Sequence, residues 1–156
     1  MKKVLFSAAI FVFSFFGCSD PGPAEIVSGT EKCAHCSMGI INEKYHSQIV
    51  TFKGRHIHFD SIECMYAYKI QNEDKVRKAW VHDFSRTKEW IETENAKFLK
   101  SEKLLSPMAG NLSAYSSDSD LKSDLEKFGG RQYTGKEIAD FVKAEWSKTG
   151  SALKQK

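Results

Sequence analysis

The chain has 156 residues, 41% of them hydrophobic and 28% charged, a balance that suits one folded domain with a single core. Its formal charge is only +3, and two of the lysines responsible stand at the extreme N-terminus, so no electrostatic case for nucleic-acid binding arises. Four cysteines, one claimed by an N-terminal processing signal, leave an odd number and exclude a multi-bridge disulfide scaffold.

Lys2 and Lys3 precede an apolar run from Val4 to Phe16, interrupted by Ser7 and Ser14 and followed by Gly17 and Cys18. These are the charged region, apolar region and small-residue cleavage site of an export signal. The run is well short of the ~20 residues that cross a bilayer as a helix. Phe15-Phe16-Gly17-Cys18 resembles a bacterial lipobox, with Phe15 where Leu is usual. Residues 1–17 are therefore expected to be cut away and Cys18 to carry a lipid that anchors the chain to a membrane, facing the periplasm or cell exterior. Loss of the leader removes two lysines and no acid, which lowers the formal charge from +3 to +1. Residues 18–30, rich in Pro, Gly and small polar side chains, read as a flexible tether. The domain is expected over 31–146, with a fraying tail at 147–156.

Within the domain, His46–Phe52 alternates as a strand, Lys53-Gly54-Arg55 reads as a hairpin turn, and His56–Phe59 returns. Asp60 reads as an N-cap, with Glu63 completing a capping box, for a helix running to about Gln71. Ile62, Met65, Tyr66, Lys69 and Ile70 share one of its faces. A strand over Trp80–Phe84 closes this half. The second half repeats the order: strands at Ala96–Lys100 and Leu112–Ser116, a helix over Asp118–Phe128 stopped by Gly129-Gly130, and a strand at Arg131–Thr134. A closing helix is predicted over Lys136–Trp146. The implied class is α+β, with two pseudo-repeated strand-strand-helix-strand halves and a C-terminal helix. Its core is expected to draw on Ile49, Phe52, Phe59, Ile62, Trp80, Phe84, Trp90, Phe98, Leu125, Phe128 and Phe141.

Cys33-Ala34-His35-Cys36-Ser37-Met38-Gly39 places two thiols and a thioether within six residues, with Gly39 free to take a positive φ. Soft thiolate and thioether donors favour Cu(I) over harder ions. Three other readings stay open: a Cys33–Cys36 disulfide, a thiol-disulfide oxidoreductase pair, and a zinc site using His35 or His46. A redox pair normally opens a helix after a core strand, and Cys33 follows a polar segment instead. The zinc reading lacks a second Cys-x-x-Cys or a His-x₃₋₅-His to complete it. Met108, in the loop Pro107-Met108-Ala109-Gly110, is a candidate additional ligand. Cys64-Met65 offers another, although Cys64 reads first as a small buried hydrophobe. His56 and His58 alternate on one strand face and read as a solvated face rather than a second metal site.

The Cys-x-x-Cys-x-Met motif at Cys33, Cys36 and Met38 resembles the NosL family of copper-binding lipoproteins. So do Phe59-Asp60-Ser61-Ile62-x-Cys64-Met65, Trp80-Val81-x-Asp83-Phe84 with Trp90-Ile91, and Pro107-Met108-x-Gly110. The chain departs from the family at Ala109, where a second Gly is usual. The resemblance implies a non-enzymatic Cu(I) chaperone that assembles nitrous oxide reductase, works beside a membrane copper-delivery system, and has a fold related to organomercurial lyase. On this basis Cys33, Cys36 and Met38 are expected as metal ligands, with Met108 a weaker one.

Overall fold

A computed structural model describes residues 22–144. The export signal, Cys18 and the tail at 147–156 lie outside the described residues. Among the described residues no helix is long and apolar enough to cross a membrane.

Two antiparallel sheets carry the repeat. The first is built from β1 (Ser47–Thr51), β2 (His56–Phe59), β3 (Val76–His82) and β4 (Trp90–Glu92), in the order β2-β1-β3-β4. The second is built from β5 (Lys97–Lys100), β6 (Leu112–Tyr115) and β7 (Arg131–Tyr133), in the order β6-β5-β7. In each half the first strand lies in the middle, the second pairs with it as a hairpin, and the strand after the helix takes its other edge. The repeated strand-strand-helix-strand order thus becomes a repeated topology, to which the first half adds β4. A bulge between Val50 and Thr51 lets β3 begin four residues before the predicted Trp80.

The helices α1 (Ile62–Gln71), α2 (Asp118–Phe128) and α3 (Gly135–Ala144) complete the order. Ser61, not Asp60, caps α1: its hydroxyl oxygen accepts from the Cys64 amide at 3.3 Å. Asp60 is left free for another task, and Glu63 does not close a capping box, because its carboxyl is drawn into the core instead. Ser117 caps α2, and Gly129 stops it with φ +66, as the Gly-Gly signal implies. In α3, Glu137 reaches back to the Thr134 amide and hydroxyl in a true capping box.

The main core gathers Ile49 and Phe59 from the first sheet, Phe98 and Leu112 from the second, and Ile62, Met65, Ile138 and Phe141 from α1 and α3. Every residue from Ile62 to Ala67 is buried, so α1 serves as the axis of the fold rather than as a surface helix with one apolar face. Two residues of the expected core lie outside it. Trp90, on β4, is half-buried and belongs to neither core cluster, and Phe52 lies just beyond β1 where the chain turns, 65% exposed.

Candidate metal site

The cysteine motif forms a tight loop pinned at both ends. Lys32 and Gly39 pair across its base, the Cys33 amide donates to the Met38 carbonyl at 2.8 Å, and the Ser37 amide donates to the Cys33 carbonyl at 2.9 Å. Ser37, not Gly39, takes the left-handed turn, with φ +65. The Ala34 amide then bonds the His58 carbonyl at 2.9 Å, which lays the loop against β2. Because β2 runs directly through Asp60 and Ser61 into α1, the loop also meets the start of that helix.

Cys33, Cys36, Asp60 and Cys64 converge there, each offering a ligand atom that lies within 4.8 Å of the other three. Sulfurs bound to one ion at about 2.3 Å stand roughly 3.8 Å apart in a tetrahedral site and less than 4.8 Å apart in any geometry, so this spacing suits a shared ion. The three thiols are unbridged. Cys33 and Cys64 are buried while Cys36 is half-buried and forms the outer side of the cluster. The Cys36 thiol donates to Asp60 Oδ2 at 3.3 Å. Asp60 Oδ1 is buried without a hydrogen-bond partner, an uncompensated acceptor of the kind a bound cation would satisfy.

The electrostatics divide the thiols. A hydrogen bond from Cys64 lowers the Cys33 pKa to about 7, helped by the Cys36 amide at 3.5 Å, although burial and the Asp60 charge oppose it. Cys36 is pushed up to about 12, first by burial. Cys64, which gives its proton to the bond with Cys33 and is buried as well, is raised above its ordinary range. Cys33 is therefore the thiol of the three most ready to ionise near neutral pH, and the other two give up their protons to a bound metal. A disulfide-exchange pair needs its low-pKa sulfur at the surface. Here the low-pKa sulfur is Cys33, 2% exposed, and the more accessible Cys36 has the raised pKa.

Of the expected ligands, Cys33 and Cys36 meet in the cluster. Met38 is 40% exposed, and its carbonyl helps to close the loop. Met108 is half-buried and packs against the core cluster that contains Cys33 and Cys64. Asp60, which reads in the sequence only as a helix cap, joins Cys33 and Cys36, and so does Cys64, a possible ligand beside Met65 that reads first as a small buried hydrophobe.

His35 is half-buried within the cysteine loop, while His46, His56, His58 and His82 gather at the first sheet, where His56 and His58 are half-buried rather than a solvated face. His46 is buried, with Nε2 3.2 Å from His58 Nδ1, and its ring lies 5.3 Å from that of His82. His56 Nδ1 meets Gln48 Oε1 at 2.7 Å, and Gln48 also bonds Ala24 through both its amide groups. The Trp90 indole donates to Glu25 at 2.7 Å, so residues just after the predicted lipid anchor rest on this side of the sheet.

The profile of the NosL family matches residues 23–142. Among solved structures, the copper chaperone NosL from Shewanella denitrificans superposes with a TM-score of 0.65, covering 76% of this chain and 96% of that one at 20% identity. Among curated proteins none matches the chain in sequence. With a family match across more than three quarters of its length and the same fold in a solved member, the chain belongs to the NosL family.

Proposed function

We propose that this protein is a Cu(I) carrier rather than an enzyme, with the ion held by the thiolates of Cys33, Cys36 and Cys64, and with Met38 and Met108 as thioether donors at its margin. The carrying observation is the convergence of three sulfurs and one carboxylate within 4.8 Å of one another. Three thiolates are a soft donor set that suits Cu(I). Asp60 accepts from the Cys36 thiol, and when that proton leaves, the carboxylate is free to turn toward the incoming charge.

A carrier needs an exchangeable site. Cys36 is the half-buried member of the cluster and Met38 is exposed two residues on in the same short loop, where an acceptor's thiolate or thioether can enter before the buried Cys33 and Cys64 let go. The reading extends to an export signal and a lipid on Cys18 that hold the domain at a membrane beside a copper exporter. The client is a copper enzyme outside the cytoplasm, with nitrous oxide reductase favoured by the family resemblance.

Anaerobic titration of the reduced protein with Cu(I) and Zn(II), each against a chelator of known affinity, tests the metal claim. One tightly held Cu(I) per chain, with Zn(II) bound far more weakly, is expected. No stoichiometric Cu(I), or a clear preference for Zn(II), would overturn it. Deleting the gene in its own host and measuring copper in nitrous oxide reductase tests the client; a fully loaded enzyme in the deletion strain would remove that assignment.

A further inference from the structure

Glu63 is fully buried beside Cys64 on α1, and its carboxyl is spent on a distant loop. Oε1 accepts a short hydrogen bond from the Ser106 hydroxyl and another from the Gly110 amide at 2.9 Å. Ser106 Oγ in turn accepts from the Asn111 amide at 2.8 Å, and Asn111 Oδ1 accepts from the Ser106 amide at 3.2 Å, so the loop closes on itself around the carboxyl. Ala109 and Asn111 both sit in the left-handed region, at φ +58 and +57. That conformation is costly for alanine and persists only where the surroundings impose it. A methyl group on Gly110 would stand 2.5 Å from the Glu63 carboxyl carbon, so glycine is required there by close approach.

Met108 occupies the middle of this loop, packed on the core cluster to which Cys33 and Cys64 belong. One carboxyl thus joins the helix that supplies Cys64 to the loop that carries Met108. We infer that Glu63 is a positioning residue of the copper site: it fixes the Met108 thioether relative to the thiolates without touching the ion. The inference rests on the Cu(I) reading above. It explains why an acidic side chain lies in an apolar core with one oxygen, Oε2, unpartnered, where a leucine would pack at no electrostatic cost.

The test is a double-mutant cycle on the full chain, with Cu(I) affinity measured by chelator competition. Glu63→Ala should weaken Cu(I) binding about tenfold when Met108 is present and by less than about threefold in a Met108→Leu background, because the two residues act through one contact. Glu63→Gln keeps the acceptor for Ser106 and Gly110 and should stay within about threefold of the native chain. Gly110→Ala should mimic Glu63→Ala while leaving the carboxyl in place, which keeps the test available should Glu63→Ala not fold. In methyl-labelled protein the Met108 methyl resonance should shift on adding Cu(I) in the native and Glu63→Gln chains and stay unmoved in the Glu63→Ala and Gly110→Ala chains. Equal losses in both Met108 backgrounds, or an undiminished methyl shift without Glu63, would overturn the inference while leaving the carrier reading intact. Absence of Cu(I) binding by the native chain would overturn both.

Discussion

Cys64→Ala separates the site described here from a site confined to the cysteine loop. Cys64 is fully buried on α1, so deleting its sulfur leaves a small cavity and should cost the apo protein about 1–2 kcal/mol, at the low end for a buried truncation. The electrostatic consequence is more specific. The hydrogen bond from Cys64 is the largest cause of the lowered Cys33 pKa of about 7, and without it burial and the Asp60 charge push the pKa up against only the backbone hydrogen bonds from Cys36 and Asp60. Cys33 should then titrate higher, and its thiolate fraction at pH 7 should fall below the native chain's. Cu(I) loses one of three thiolates, for which a drop of about 100-fold, or ~2.7 kcal/mol, is expected. Thiolate absorbance near the ultraviolet edge, followed against pH under anaerobic conditions, reads the first effect, and chelator competition reads the second. An unchanged Cys33 midpoint together with unchanged Cu(I) affinity would refute the reasoning and return Cys64 to the status of a packing residue.

Met38→Leu conserves volume at a 40% exposed position, so apo stability should shift by less than about 0.5 kcal/mol, while Cu(I) affinity falls tenfold or more and Zn(II) binding stays level. Equal Cu(I) affinities would confine Met38 to closing the loop. Cys18→Ser should release the protein from the membrane fraction, since only the thiol accepts the lipid; a mutant that still partitions as an integral species contradicts the anchor. Acid should destabilise the fold through its histidines, because burial lowers His46 to about 3 and also depresses His58 and His82. In that range the unfolded chain binds protons that the folded one refuses. Stability is therefore fully present above about pH 6.5 and declines by up to ~1.4 kcal/mol per pH unit for each such histidine below it. Urea midpoints for His46→Gln should fall less steeply with acid than those of the native chain, and parallel profiles would contradict this assignment.

Much of the fold was legible because its signals are local. The hairpin at Lys53–Arg55, the Ser117-capped helix stopped by Gly129, and the matching order of the two halves all rest on turn chemistry and periodicity that survive in the structure. Where the reading failed, a long-range contact had outbid a local rule. Asp60 and Glu63 look like an N-cap and its capping-box partner, yet Ser61 caps the helix, Asp60 turns to Cys36, and Glu63 turns to a loop more than forty residues away. Phe52 fits a core list by composition, but its position at the turn after β1 exposes it. The Cys-x-x-Cys pair was visible by spacing alone. Cys64 was legible only as one possible ligand among several, because a lone buried cysteine looks like any small apolar residue until the fold brings two more sulfurs beside it.

X-ray absorption at the copper edge of the Cu(I)-loaded protein tests the central claim most directly, since it counts the sulfurs around the ion. Three thiolates from Cys33, Cys36 and Cys64 predict a first shell of at least three sulfur atoms that loses one in Cys64→Ala. A shell of two sulfurs in the native chain that is unchanged by that substitution, or one dominated by nitrogen and oxygen, would contradict the account.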